Sequence, residues 1–149
     1  MEEKIKVIKV EPRKEPEVVM LKNEYKDLSA AVDGLIQVVY PYSDKVGLML
    51  NDEGKLLGME PNRSLKDEDG NIYDVIAGTF YVVGLDEENF GSLSDELIEK
   101  YMKEFKQPYM YVQLGMGVLE IPIHIVPPND KRKTEEVIKK GQILDFGPH

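Results

Sequence analysis

"LMLNDEGKLLGMEPNRSLKDEDGNIYDVIAGTFYVVG", residues 48–84, decides the fold of this 149-residue chain. Its two ends are apolar runs rich in branched and aromatic side chains, residues 48–50 and 80–83, of the kind that build strands. Between them stand the residues that bend a backbone: Asn51-Asp52-Glu53-Gly54, Pro61-Asn62, Asp67 to Asn71, and Gly78. The first group turns the chain back into residues 55–58, with Gly54 expected at the positive φ of a tight hairpin. An irregular loop carrying Pro61-Asn62-Arg63 follows, and residues 72–84 resume β character, bent or bulged at Gly78-Thr79.

Upstream, residues 4–10 set Ile5 and Val7 against Lys6 and Ile8, a first strand that the Pro-bearing EPRKEP ends. Residues 18–21 form a short second strand. Asn23 then stands where it can cap a helix whose Tyr25, Leu28 and Val32 share one face, with Gly34 in the C′ position. Residues 35–40 and 46–50, joined by PYSDK, pair as a hairpin.

Downstream, Ser92 or Ser94 caps the clearest helix, in which Leu93, Leu97, Ile98, Tyr101, Met102 and Phe105 make one apolar stripe, closed by Pro108. Residues 109–114 and 118–126 read as a strand pair around Gly115-Met116-Gly117. In the second strand Leu119, Ile121, Ile123 and Ile125 are expected on the core side and Glu120, Pro122 and His124 on the wet side. Pro122 marks an edge strand, because it donates nothing to a ladder. The tail from residue 127 holds one short helix ending at Gly141, and then Ile143, Leu144 and Phe146, placed to cap the domain or dock onto a partner.

The element order predicts an α+β fold: a mostly antiparallel sheet with two main helices on one face, plus a C-terminal β-hairpin and a short tail helix. Residues 1–107 form the domain proper, and residues 108–149 are a strand pair and tail packed on the same core.

The net charge of −9, from 28 acids against 19 bases, argues against direct nucleic-acid binding, since the only basic cluster is Lys131-Arg132-Lys133. MEEKIKVIKV lacks the apolar core of a signal peptide, and no window approaches the length of a membrane span, so a cytoplasmic protein is expected. The absence of cysteine removes disulfides, thiolate nucleophiles and zinc–thiolate sites.

Asp67-Glu68-Asp69-Gly70-Asn71 alternates oxygen ligands as a calcium loop does. Gly78 stands where that loop needs a bidentate Glu, so the stretch reads as a turn and no metal is expected. His124 and His149 lack partners for acid–base work. No nucleophile elbow, phosphate loop or cofactor motif occurs, and no catalytic residue is assigned. Arg63, one of three arginines, is the candidate anchor: its guanidinium forks onto a phosphate or carboxylate, or else pairs with Asp67 or Asp69 to pin the loop.

Six stretches in order, "IKVIKVEP", "EPEVV", "AAVDGLIQVVYP", "NDEGKLLGMEPNRSL", "YDVIAGTFYVVG" and "ENFGSLSDELIEKYMKEF", are similar to a family known as domain of unknown function 3846. They cover about residues 4–106. Arg13 and Asp33 stand where members of that family often carry glycine. The resemblance implies a phage, plasmid or conjugative-element setting and no activity, and Asn51, Glu53, Gly54, Asn62, Arg63, Asp74, Gly78, Thr79 and Phe80 match the family's signature.

The reading that follows is a non-enzymatic accessory module that binds a protein partner or a small anionic ligand. Asn62 and Arg63 are its polar anchors, and Tyr73, Asp74, Thr79 and Phe80 line the site. Two alternatives rank behind it. One is an acidic inhibitor that mimics nucleic acid through Asp86, Glu87, Glu88, Asp95, Glu96 and Glu99. The other is a small hydrolase or transferase built on Asp74, Thr79 and Arg63. Strand 118–126 and the tail are the expected surfaces for self-association.

Overall fold

Residues 46–49 and 80–84 bury every successive side chain, which a strand does only when both faces of its sheet are covered. The computed structural model describes residues 4–124. Its elements in chain order are β1 (Lys4–Val10), β2 (Glu17–Lys22), α1 (Tyr25–Ala31), β3 (Ile36–Val39), β4 (Val46–Asn51), β5 (Pro61–Lys66), β6 (Ile72–Ala77), β7 (Phe80–Asp86), β8 (Asn89–Gly91), α2 (Asp95–Glu104), β9 (Tyr109–Leu114) and β10 (Gly117–Pro122). The main sheet runs β2-β1-β7-β4-β3, antiparallel throughout, with β8 also paired to β7. The two fully buried runs, in β4 and β7, are central neighbours in that order. The α+β class with a mainly antiparallel sheet, two helices and a C-terminal hairpin is what the sequence predicts.

The side-chain alternation assigns the faces. Ile5, Val7, Met49, Tyr81 and Val83 pack with Leu28 of α1 and Val32 just past it. Their alternates Ile8, Val10, Val46, Leu48, Phe80 and Val82 pack with Tyr101 of α2, with Phe105 at its end, and with Leu65 and Ile76 of the β5–β6 hairpin. The helices therefore cover opposite faces, which corrects the expectation of one helical face. The continuous apolar runs of β4 and β7 are the sequence signature of that arrangement.

The segment between β4 and β6 is also rearranged. Residues 52–58 are a helical turn, closed by Leu57 N–H donating to Glu53 O at 2.9 Å, and not a return strand. Residues 61–66, expected as loop, are β5, paired with β6 through a bulged register. Gly54 has no positive φ; it is small because a Cβ there would stand 2.8 Å from the Ala77 carbonyl oxygen.

Asn23 is not the cap of α1. Glu24 precedes the helix in extended conformation without a side-chain cap, and Asn23 Nδ2 donates to Phe90 O at 3.1 Å. At the other end Asp33 (φ 60), not Gly34, takes the left-handed residue that ends the helix. Arg13 (φ 66) is likewise left-handed, so both positions at which the resemblance implies glycine are places where an L side chain is strained. Ser94 does cap α2, its Oγ accepting from Leu97 N–H at 3.2 Å, and the helix's apolar stripe faces the core as its spacing predicts, with Leu93, Tyr101 and Phe105 buried and Leu97, Ile98 and Met102 partly so.

The β9–β10 hairpin turns the opposite way from expectation. Tyr109, Tyr111, Val118, Glu120 and Pro122 share one face by register, and that face meets β5; Met110, Val112, Leu114, Leu119 and Ile121 share the outer one. The reason is that β5 offers Ser64 and Lys66 to the hairpin, so a carboxylate fits beneath it and an isoleucine does not. Residues 125–149, including the rest of strand 118–126 and the tail helix, lie outside the described residues.

Candidate functional site

β5 places Asn62 and Arg63 at the centre of the molecule. Asn62 is fully buried; its Nδ2 donates to Val10 O at 2.8 Å and Gly78 O at 2.9 Å, while its Oδ1 accepts from Arg63 Nη1 at 2.9 Å. Arg63 is 2% exposed. Its Nε and Nη2 both donate to Phe105 O, at 3.2 and 2.9 Å, Nη2 also donates to Lys14 O at 2.7 Å, and Nη1 donates to Asn62 O at 3.3 Å as well as to the Oδ1. A guanidinium has five N–H donors, and all five find oxygens of the chain itself. Burial holds the Arg63 pKa below its ordinary value, with Tyr111, Tyr109 and Glu120 opposing that shift.

This node ties four places together: the end of β1, the β1–β2 turn, the β6–β7 bend and the C-terminus of α2. The expected pairing of Arg63 with Asp67 or Asp69 does not hold it; main-chain carbonyls do. Asp67 instead closes the β5–β6 turn, its Oδ1 accepting from Asp69 N–H at 3.0 Å and Asn71 N–H at 2.9 Å.

The other candidate residues do not converge on Arg63. Phe80 is buried in the core, its ring edge-on to Phe105 at 5.2 Å. Thr79 is half-buried in the bend before it. Tyr73 is 58% exposed on β6. Asp74 faces a separate cleft of about 270 Å³ beside the 52–58 turn, where its carboxylate accepts from Lys55 Nζ and from Val75 N–H. Asn51 also lines that cleft, but its amide is taken up by Val32 O at 2.9 Å, Asp33 O at 3.2 Å and Glu53 N–H at 2.7 Å, joining the end of α1 to β4. Among the described residues no cluster of His, Cys, Asp or Glu is arranged to hold a metal ion.

One cluster has no precursor in the sequence reading. Glu120 accepts from Ser64 Oγ at 2.5 Å, Lys66 Nζ at 2.8 Å and Tyr111 Oη at 2.8 Å. Its partners on β5 lie more than 50 residues away in sequence, so no local spacing announces it. Burial by itself raises the Glu120 pKa, but the hydrogen bonds from Lys66, Ser64 and Tyr111 outweigh it and leave the carboxyl below its ordinary value. Burial, followed by the Glu120 bond, raises the Tyr111 phenol. These contacts latch the hairpin to the core.

A depressed folded-state pKa contributes stability that is present above the unfolded value and lost as pH falls through the folded one. For Glu120 the loss falls below pH 4.5. Urea midpoints measured from pH 7 to pH 3 are expected to fall more steeply below that value in the wild type than in Glu120→Gln.

Among the described residues no helix is long and apolar enough to cross a membrane. Fold and buried polar node together define a small α+β domain in which Asn62 and Arg63 brace the scaffold. The chain belongs to the family described as domain of unknown function (DUF3846), whose model matches residues 5–106. No curated protein and no solved structure matches it. The β9–β10 hairpin begins beyond the matched residues.

Proposed function

We propose that the protein is a non-enzymatic binding module that engages a protein partner through the outer face of β9–β10, in the phage, plasmid or conjugative-element setting that the family resemblance implies. One observation carries the reading: of the thirteen large hydrophobic side chains exposed among the described residues, Met110, Leu114 and Leu119 share the outer face of this one hairpin and Met116 stands at its turn. Its outer face combines Met110, Val112, Leu114, Leu119 and Ile121 without a charge, while polar contacts on the inner face hold it in place. Contiguous apolar surface of this kind marks interaction sites. A small anionic ligand is the weaker choice, because Arg63 has no donor left for it.

The test is photo-crosslinking from a benzophenone side chain at position 119, in a bacterium carrying the native element. A discrete adduct heavier than the 17.0 kDa chain is expected, absent when the probe is moved to Glu96 on α2. Because the face is uncharged, the yield in extract should hold between about 0.05 and 0.5 M salt. Adducts at Glu96 alone, fading with salt, favour the acidic inhibitor and overturn this reading.

A further inference from the structure

At the far edge of the main sheet β2 has β1 on one side and, among the described residues, no strand on the other. Which of its backbone groups face that edge follows from the register. Lys6 N–H donates to Ser92 Oγ at 2.9 Å, and Lys6 O accepts from Leu93 N–H at 2.9 Å, so both groups of Lys6 point away from β2. Lys6 is opposite Met20. In an antiparallel ladder two opposed residues point both sets of groups inward or both outward, so the N–H and C=O of Met20 point to the open edge. By alternation those of Val18, opposite Ile8, and Lys22, opposite Lys4, do too.

These three residues are spaced evenly about Met20. The side chains of Val18 and Met20 are also exposed, at 40% and 58%, on the face that α1 does not cover. The strand has no proline, no bulge and no inward charge, and its charged residues, Glu17 and Lys22, stand only at its two ends.

We propose that β2 pairs antiparallel with β2 of a second copy of this chain about a two-fold axis at Met20, extending the sheet across two molecules. A second copy fits better than an arbitrary strand because this register closes on itself. Met20 exchanges both hydrogen bonds with Met20 of the second copy, and each Val18 does so with the other Lys22, so every outward N–H and C=O of the three residues is bonded. Shifting the axis to Val19 sets Lys22 opposite Pro16, which has no N–H to donate to it. On one face Met20 covers its symmetry mate and Val18 lies beside the stem of the other Lys22; on the other Val19 lies opposite Leu21, and Glu17 opposite Asn23. No like charges oppose each other, which would be destabilising. An edge-to-edge contact is small, so a dimer with Kd of about 10 μM is expected. It should tighten with added salt, because each chain carries a net charge of −9.

The experiment is light scattering of the full chain over a concentration series, for the wild type, Met20→Lys and Leu119→Lys. Wild type and Leu119→Lys are expected to reach twice the 17.0 kDa chain mass. Met20→Lys sets two ammonium groups together at the axis and should remain a monomer, with an unchanged circular dichroism spectrum. A wild type that stays monomeric at about 200 μM, or a dimer abolished by Leu119→Lys and not by Met20→Lys, overturns the proposal. Should Met20→Lys fail to fold, Met20→Cys decides, since the chain has no other cysteine. Opposed Cα atoms in such a pair lie within disulfide reach, so mild oxidation should yield a covalent dimer, and its absence overturns the pairing.

Discussion

Arg63→Ala is expected to lower the stability of the protein by about 3 kcal/mol and its Tm by about 6–10 °C. The loss comes from acceptors left behind. Phe105 O receives two of the guanidinium bonds, Lys14 O one and the Asn62 oxygens the rest, and an unpaired buried polar group costs about 1–3 kcal/mol. The alanine also leaves a void at a site that is 2% exposed in the wild type. Arg63→Lys keeps the charge, but a lysine has three donors on one nitrogen and no planar fork, so it should recover less than half of the loss. Urea and thermal denaturation followed by circular dichroism check both variants. A Tm within about 1 °C of wild type would show that the guanidinium is not a structural tie, and the anionic-ligand reading would regain its anchor.

Periodicity made most of the fold legible. The stripe of Leu97, Ile98, Tyr101 and Phe105 announced α2, and the paired apolar runs announced β3–β4, because each pattern is decided within one element. β5 was not legible for the opposite reason. Pro61-Asn62-Arg63-Ser64 has the composition of a loop; it is a strand because it pairs with β6, and its side chains are held by carbonyls of Val10, Lys14, Gly78 and Phe105, which no local spacing announces. The candidate site inherits that failure. Asn62 and Arg63 stood out correctly as unusual residues, but a solvent-facing anchor and a buried tie have the same letters. The hairpin face was misread from Leu119 and Ile121: alternation says that two faces differ, and only the polar Ser64 and Lys66 beneath say which is inward. Tyr73, Asp74, Thr79 and Phe80 are near in sequence yet divided among surface, cleft, bend and core, because successive strand residues point to opposite faces.

Phe80→Ala is expected to cost about 3–5 kcal/mol, whereas Tyr73→Ala, on an exposed position, should change stability by no more than about 0.5 kcal/mol. The contrast separates a core residue from a surface one within what looked like one site. Its consequence reaches Arg63 through Phe105. The Phe80 ring packs edge-on against Phe105 at 5.2 Å, and the carbonyl of that same Phe105 receives two guanidinium bonds. Truncating Phe80 frees Phe105 to move, which lengthens bonds that Arg63 needs, so part of the Arg63 contribution is already gone in Phe80→Ala. The double variant should therefore lose about 1–2 kcal/mol less than the sum of the single losses. Denaturant midpoints of the four proteins give that coupling directly, provided the slope is unchanged. Strict additivity would mean that the α2 terminus is positioned by other contacts, such as Tyr42 against Tyr101 and Phe105, and that ring packing and polar node are separate supports. Coupling of the expected size makes them one unit, in which the α2 end, the β1–β2 turn and the β6–β7 bend are held by Phe80, Phe105, Asn62 and Arg63 together. That rigidity is what lets the hairpin, which leaves the same α2 terminus a few residues on, present its outer face in a fixed orientation.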